Sequence, residues 1–324
     1  MAVARAAEQQ PWHRALDAIV RFLQRYGVVI IIVAMMIFMT VSSDAFLTPR
    51  NLLNILNQSA PLAIIAAALT LVVIGGGFDL STGAIFGVAS CVAAWLAVNV
   101  DPTLGLLAAP FIGLGFGLLN GAIIAGLKIH SFLATLASSL VFRGIAILVT
   151  GGFLIPVRMP EFAWLGRGRV GQVNIAVIVV AVFTASMMFV LNRTTFGRRV
   201  YAVGGNEEAA ILSGVRTGLV KIGTFALTGF AAGLAAAIGV SRISMGQPQA
   251  GMGMELEAIA AVILGGTSIY GGVGAVWRSI AGVLLLSLIG NAFDILNADP
   301  FFKDLTTGLI IVVAVALSAA GKRR

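Results

Sequence analysis

The segment FGRRVYAVGGNEEAAILSG, residues 196–214, is a polar stretch between two long apolar segments. Its second half suits a short helix: Asn206 is a favoured N-cap residue, Glu207 and Glu208 fall where the helix dipole favours negative charge, and Gly214 suits a C-terminal stop. The segment therefore predicts a loop and short helix that stand off the apolar bulk of the protein as a docking element. An ordinary charged connector is the alternative.

The composition places the protein in a membrane. Of 324 residues, 59% are hydrophobic and 10% are charged, and the mean hydropathy is +1.02, whereas soluble domains carry roughly 25% charged residues. The 39 glycines and few aromatic residues favour closely packed helices over a porin-like barrel. We therefore expect an all-α, polytopic membrane protein in contact with the lipid bilayer. The net charge of +8 is spread over loops and termini, which indicates a topology signal rather than nucleic-acid binding.

About ten membrane-spanning helices are predicted, some of them broken or re-entrant at glycine-rich segments. Residues 1–25 form a polar arm, residues 26–320 one transmembrane domain with a cytoplasmic loop at 192–221, and residues 321–324 a basic tail. The predicted spans are Tyr26–Val41, Ser59–Ile74, Ala84–Val100, Leu104–Leu127, Phe132–Thr150, Ile175–Leu191, Ile222–Val240, Leu256–Leu264 with its glycine-rich continuation, Ile280–Ile295 and Phe302–Ala320. A short helix is expected near Glu161–Leu165, in the longest outer loop.

The distribution of basic residues predicts the orientation of these spans. With the N-terminus inside, 14 of the 21 Lys and Arg residues lie on the inner side and 6 on the outer side. Inner loops carry the excess of positive charge in membrane proteins. Both termini are therefore expected in the cytoplasm.

Two glycine-rich breaks interrupt apolar runs. Gly75–Gly83, GGGFDLSTG, carries Asp79 and Ser81, and Gly265–Gly274, GGTSIYGGVG, follows an apolar run that loosely resembles the one before the first break. Non-helical backbone at membrane depth is tolerated only where it is buried in protein or lines a wet cavity. The breaks therefore predict a translocation path past Asp79 and Ser81. Glycine-rich turns between packed helices, with Asp79 as a helix cap, are the alternative.

Other polar residues in the spans are candidates for the same path. Arg143 lies near mid-span, where an arginine costs about 2.5–3.5 kcal/mol, and is expected to face the bundle interior, with snorkelling toward an interface as the alternative. Asn120 and Asn291 either bond neighbouring helices or line the path. Glu255, at the outer start of a span, is a candidate for the outer gate or the binding-protein side, and otherwise helps to cap its helix.

The sequence lacks the motifs of an enzyme. It has no phosphate-binding G-x-x-x-x-G-K-[ST] loop, no H-E-x-x-H motif and no G-x-S-x-G turn. Its lone cysteine, Cys91, excludes an intramolecular disulfide and a cysteine-built metal cluster. We expect a transport subunit that binds no cofactor and no metal and is powered by another protein.

Five motifs occur in the order of a known family: GGFDLSTGAIFG (76–87), NGAIIAGLKIHSFLATL (120–136), FRGIA (142–146), TTFGRRVYAVGGNEEAAILSGV (194–215) and GMGMELEAIAAVILGGTSIYGGVGAV (251–276). From about residue 50 onward the chain resembles the permeases of ribose-type sugar importers of the ATP-binding cassette class.

This resemblance implies several partners and a cargo. They are a cytoplasmic ATPase, a periplasmic sugar-binding protein and a second permease subunit, identical or paralogous, in the bacterial inner membrane; the cargo is a monosaccharide or related polyol. The resemblance also implies that the docking element couples the permease to the ATPase, through Asn206, Glu207, Glu208, Ala209, Ala210 and Gly214.

The sequence departs from the family pattern at two points. Ser131 stands where the family usually has proline, so the start of the fifth span is expected to be less kinked, and Trp277-Arg278-Ser279 replaces small residues at a helix contact. Two other functions stay open: the permease of a related branched-chain amino acid importer, and a self-contained secondary transporter that uses Asp79 as its coupling carboxylate.

Overall fold

The computed structural model describes residues 11–299 together with 301, 302, 305, 306, 308–310 and 312, with side chains from Gly27 onward. Within these residues the fold is almost entirely helical, as predicted. Its helices are α1 (Pro11–Ser42), α2 (Pro49–Ile74), α3 (Thr82–Asn99), α4 (Pro102–Leu127), α5 (Ser131–Thr150), α6 (Trp164–Arg167), α7 (Ile175–Arg193), α8 (Thr195–Gly205), α9 (Glu207–Leu212), α10 (Thr217–Ile243), α11 (Met254–Leu264) and α12 (Val276–Ile295).

Seven of the described helices are long and apolar enough to cross a bilayer, namely α2, α3, α4, α5, α7, α10 and α12. Gly27–Ser42 of α1 is a further, shorter apolar segment. The predicted eighth span is α11, whose 11 residues reach only ~16 Å and so cross about half of a bilayer. The predicted tenth span, Phe302–Ala320, lies mostly outside the described residues.

The predicted starts of the second and seventh spans are wrong. Helix α2 begins at Pro49 rather than Ser59, because Thr48 caps it by accepting a hydrogen bond from the N–H of Asn51 and proline suits the first helical position. Helix α10 begins at Thr217 rather than Ile222. In both helices the extra turns mix polar with apolar residues, and this lower hydropathy is why they were not assigned to the spans. The backbone of residues 11–25, assigned to the N-terminal arm, is already helical.

Close packing of α4 against α10 forms one side of the bundle. Glycines face glycines along this contact, so that a Cβ on Gly229 would collide with the carbonyl of Gly113, and one on Gly117 with the backbone at Gly229. Small residues that let backbones approach are the usual means of helix association in membranes. Helix α2 lies at the centre, with its residues from Ser59 to Ile74 almost all buried.

Short strands connect the helices at the end of the bundle where α10 finishes. Strand β1 (Ile155–Pro156) pairs with β4 (Met245–Gly246), and β2 (Arg169–Val170) pairs with β3 (Val173–Asn174), all antiparallel. A 3₁₀ turn at Pro160–Ala163 followed by α6 confirms the short helix predicted near Glu161–Leu165.

After β4 the chain re-enters the bundle along α3. Gly246 lies against Ala94, near the end of α3, and Gly251 lies against Gly83, at its start. Helix α11 therefore begins deep in the bundle and runs toward the opposite end. The segment after β4 and the 11 residues of α11 therefore complete one crossing together. In the sequence this crossing appears only as an apolar run before a glycine break.

Candidate functional site

A buried polar network occupies the first glycine break. The Asp79 carboxylate accepts hydrogen bonds from the Ser81 N–H (2.9 Å), the Ser81 hydroxyl (2.6 Å) and the Thr228 hydroxyl (2.8 Å). The Asn120 side-chain amide donates to the Ser81 hydroxyl at 2.7 Å. All four residues are completely buried. The network therefore joins α4, the break and α10, and brings together three of the residues predicted for the path.

The extended backbone of the break is held by α5. The Ser131 hydroxyl accepts from the Phe78 N–H, and the Thr135 hydroxyl from the Leu80 N–H, both at 3.0 Å. Ser131 stands where the family usually has proline, and its hydroxyl stabilises the break in a way that proline could not, since a proline has no side-chain acceptor for the Phe78 N–H. The sequence does not single out Thr135 or Thr228, because a single threonine in an apolar helix carries no distinguishing pattern.

Both breaks begin with the same backbone motif. At the end of α2, Gly76 has φ +81°, and the N–H groups of Gly76 and Gly77 bond back to the carbonyls of Val73 and Val72. At the end of α11, Gly266 and Thr267 bond in the same way to Ile263 and Val262. This pair of backbone hydrogen bonds around a residue in the left-handed conformation ends a helix abruptly. The resemblance between the two runs in the sequence therefore corresponds to a shared local structure.

Three glycine pairs meet where the two breaks touch α8, and we call this contact the glycine junction (Gly75–Gly76, Gly204–Gly205 and Gly271–Gly272). The Gly272 N–H donates to the Ile74 carbonyl at 2.8 Å. A Cβ on Gly204 would overlap that same carbonyl and would lie 2.7 Å from the Gly272 nitrogen. The Tyr201 hydroxyl, also on α8, donates to the Gly274 carbonyl at 2.8 Å. Helix α8 is therefore fixed to both interrupted helices at once.

The docking element predicted from the sequence is the helix pair α8 and α9. The loop expected before the short helix is wrong, because residues 196–205 belong to α8, which Thr194 caps by accepting a hydrogen bond from the Gly197 N–H. The Asn206 side chain accepts from the Ala209 N–H at 2.9 Å and caps α9. At the other end Gly214 has φ +82°, and the N–H groups of Gly214 and Val215 return to the carbonyls of Ile211 and Ala210. The predicted cap and the predicted glycine stop are both confirmed as local structure.

The side chains of α9 divide between the bundle and the outside. Ala210 is buried, and Glu207 pairs with Lys221 of α10 at 2.6 Å. Glu208 and Ala209 are exposed. Leu212 is 90% exposed and Ile211 54% exposed, although both belong to a helix with fixed ends. The sequence does not single out these two residues, because an apolar pair in a short amphipathic helix normally indicates packing against its own protein.

Arg143 lies beside the re-entrant segment that precedes α11. Its guanidinium Nη1 donates to the carbonyls of Pro248 (3.0 Å) and Ala250 (2.8 Å) and is attracted electrostatically by Glu255. The same nitrogen lies close to Gly87 of α3. Arg143 and Glu255 thus form a second polar group, next to the first turns of α3, and their predicted roles in transport stay predictions.

Asn291 lies apart from both groups. Its side-chain amide and that of Asn51 exchange two hydrogen bonds, at 2.9 and 3.0 Å, and thereby join α12 to the first turn of α2. This is the interhelical bond that sequence analysis gave as the usual role of such a residue. Among the residues that the structure describes, no group of three His, Cys, Asp or Glu side chains is placed to hold a metal ion.

The Trp277-Arg278-Ser279 segment keeps the helix contact close despite its bulk. Gly265 packs against the Arg278 backbone, and the buried Ser279 hydroxyl accepts from Thr70 of α2 at 2.8 Å. Trp277 is 40% exposed and the Arg278 guanidinium lies 5.5 Å from its ring. The contact is therefore made through the Arg278 backbone and the Ser279 hydroxyl rather than through the two large side chains.

Membrane-length helices, two interrupted helices that meet inside the bundle, and a capped helix pair at one end define a multi-pass membrane transport protein. The chain belongs to the family described as branched-chain amino acid transport system / permease component, whose profile matches residues 51–315.

Three curated relatives show where the chain lies within this family. The ribose import permease RbsC of Bacillus subtilis (strain 168) is 37% identical, over 91% of this chain and 92% of its own length. RbsC of Escherichia coli (strain K12) is 35% identical, over 90% and 92%. The xylose transport system permease XylH of the same strain is 32% identical, over 93% of both chains. No solved structure matches the chain.

Proposed function

We propose that this chain is the permease subunit of an ATP-binding cassette importer and forms the translocation path for a monosaccharide or related polyol. The observation that carries the proposal is the 90% exposure of Leu212 on a helix whose two ends are fixed. An exposed leucine beside Ile211 on a rigid helix outside the spans is the kind of apolar surface that binds another protein. The proposed partner is a cytoplasmic ATPase, and α9 is the contact.

The glycine junction supports this assignment, because it links the proposed contact to the middle of the bundle. A partner that moves α9 also moves α8, from which α9 is separated only by the cap residue Asn206. Helix α8 in turn bonds the second break through Tyr201 and packs on the end of α2 through Gly204. Displacement of α8 and α9, which we call the coupling helices, is thus transmitted to both interrupted helices, which is where a path would open and close.

The remaining partners follow from the proposed class of transporter. The ribose and xylose permeases similar to this chain support a sugar as cargo, delivered by a periplasmic binding protein. Helices α5 and α7 are the least covered of the seven spans, which supports contact with a second permease subunit as well as with lipid. With the coupling helices facing the ATPase, both termini lie in the cytoplasm and the protein resides in the bacterial inner membrane.

A branched-chain amino acid importer is the second candidate, and the description of the family favours it. A purified complex of the chain with its cognate ATPase and binding protein, reconstituted in liposomes, separates the two. We expect ATP-dependent uptake of a sugar such as D-ribose or D-xylose. ATP-dependent uptake of L-leucine instead would replace the proposed cargo, and uptake without ATP would replace the proposed class.

A further inference from the structure

A cavity of about 300 Å³ lies at the end of the bundle opposite the coupling helices. It is bordered by the first half of α2, the last turns of α10 and α12 and the start of α11. The coupling helices, by contrast, lie next to the end of α2 and lead into the start of α10. In the proposed orientation the cavity is therefore on the periplasmic side, where a binding protein would release its cargo.

The cavity combines polar groups with an apolar floor. The buried Phe86 and Gly239 line its interior, and Gln58, Glu257 and Asp294 are its exposed members. Charged groups at membrane depth are costly, and their presence in a span is a default indication of a functional site. A volume at the lower end of the ~300–1,000 Å³ range of small-molecule sites suits a compact ligand.

We propose that this cavity binds a small polyhydroxylated molecule on its way into the path. The carboxylates of Glu257 and Asp294 accept hydrogen bonds from hydroxyl groups, and the Gln58 amide and Ser287 hydroxyl both donate and accept. The Phe86 ring offers an apolar surface to the carbon skeleton. This mixture of a few placed polar groups on an apolar and aromatic wall is typical of sites for small neutral ligands.

The charges lining the cavity argue against an amino acid as its ligand. Arg242 is the basic residue of the lining, and its guanidinium Nη1 already donates to the Asn57 carbonyl of α2 at 3.1 Å. A zwitterion would have to share that guanidinium with the Asn57 carbonyl and bring its carboxylate near the acidic Glu257 and Asp294. With two acidic residues and one basic residue, the lining also disfavours an anion.

The inference rests on the proposed function, since the ligand class is that of the proposed cargo, and a labelling experiment tests it separately. Cys91 is the single cysteine of the chain and is buried, so an introduced cysteine can be labelled selectively. In the assembled complex in nanodiscs, Ser287→Cys should react quickly with a charged, water-soluble methanethiosulfonate. Val182→Cys is the matched control, because Val182 is 62% exposed in the middle of α7 and should face lipid.

D-Ribose or D-xylose should slow labelling of Ser287→Cys by roughly tenfold at about ten times its dissociation constant, because mass action leaves about a tenth of the sites free. L-Leucine should not slow it. Asp294→Asn, combined with Ser287→Cys, should raise the protecting sugar concentration by about tenfold, since it removes a charged acceptor. Labelling no faster than that of Val182→Cys, or no protection by either sugar, or protection by L-leucine alone would each overturn the inference.

Uptake by the unlabelled parent complex separates the two claims. ATP-dependent sugar uptake without protection at Ser287→Cys contradicts the cavity site and leaves the proposed function intact. Protection without ATP-dependent uptake contradicts the proposed function and leaves the cavity site intact.

Discussion

The N–H of Gly272 donates to the carbonyl of Ile74 at 2.8 Å, so the segment after α11 is bonded to the last residue of α2. Gly204 of α8 packs against the same carbonyl with no room for a side chain. One carbonyl group is therefore the meeting point of both interrupted helices and α8.

Gly204→Ala should disrupt this junction, because the added Cβ would overlap the Ile74 carbonyl. Overpacking of this kind costs about 1–3 kcal/mol, and we expect a lower melting temperature in detergent together with loss of ATP-dependent uptake. Gly205→Ala is the matched control, since a Cβ there meets nothing within 4 Å. Equal melting temperatures and uptake rates for the two variants would show that the junction tolerates a side chain.

Thr228→Val should destabilise the bundle from within. It removes one of the donors to the Asp79 carboxylate, and a buried acceptor that loses its partner costs about 1–3 kcal/mol. Thr224→Val serves as the control, because the buried Thr224 hydroxyl bonds only to the Lys221 carbonyl of its own helix. Thermal unfolding of the two variants checks the prediction, which fails if Thr224→Val is the less stable one.

Some of this architecture could be predicted from the sequence because its causes are local. The spans, the Asn206 cap and the Gly214 stop each depend on a few neighbouring residues, whose hydropathy or turn chemistry determines the local structure. The starts of α2 and α10 were missed because polar residues interrupt the apolar ones in their first turns. In α2 a cap and the tertiary bond Asn51–Asn291 stabilise this part of the helix.

The candidate site was predictable only in part, because its contacts join distant segments. Asp79 and Asn120 stood out as polar residues in apolar runs, whereas their partner Thr228 on α10 did not. The meeting of Gly76, Gly204 and Gly271 depends on the packing of three separate segments. Glycine pairs occur in each of them, but nothing in the sequence indicates which pairs come together.

Arg143→Met should weaken the attachment of α5 to the re-entrant segment that precedes α11. The substitution keeps a long apolar side chain but leaves the carbonyls of Pro248 and Ala250 without this donor and removes the positive charge that attracts Glu255. We expect a lower melting temperature and slower uptake. The double variant Arg143→Met with Glu255→Gln should recover part of the loss, because an unpaired buried carboxylate is costly. Additive losses in this double-mutant cycle would show that the two charges do not interact.

Asp79→Asn should reduce uptake, because an amide in place of the carboxylate introduces N–H donors opposite the Ser81 and Thr228 hydroxyl groups that now donate to Asp79. Uptake by the parent should require ATP and should not be driven by a proton or sodium gradient. Proteoliposomes with an imposed ion gradient and no ATP check this directly. Gradient-driven uptake that Asp79→Asn abolishes would identify a secondary transporter with Asp79 as the coupling carboxylate.

Gly214→Val should leave insertion and folding largely intact and impair coupling. The backbone there has φ +82°, a conformation that a β-branched residue strongly disfavours, so the end of α9 should be displaced. Gly214→Asn is the control, since asparagine tolerates the left-handed region. Size-exclusion profiles of the permease and ATPase activity of the complex, with and without loaded binding protein, distinguish a coupling defect from misfolding.

Glu208→Lys tests the charge of the same surface. It puts positive charge in the first turn of α9, where the helix dipole is already positive, and changes the exposed contact with the proposed ATPase. We expect a lower ligand-stimulated ATPase rate at unchanged permease yield, and a steeper loss at low salt, where charge contacts are less screened. A stimulated rate equal to that of the parent would remove Glu208 from the interface.

The central claim is that α9 binds the ATPase. The most direct test measures ATP-dependent sugar uptake and ATPase copurification for two variants, Leu212→Asp and Leu212→Met. Because Leu212 is 90% exposed, neither substitution should affect folding. The account predicts that Leu212→Asp loses the ATPase on purification and imports no sugar, while Leu212→Met behaves as the parent. Parent-like copurification and uptake with Leu212→Asp would contradict it, since α9 would then be only a connector between two spans.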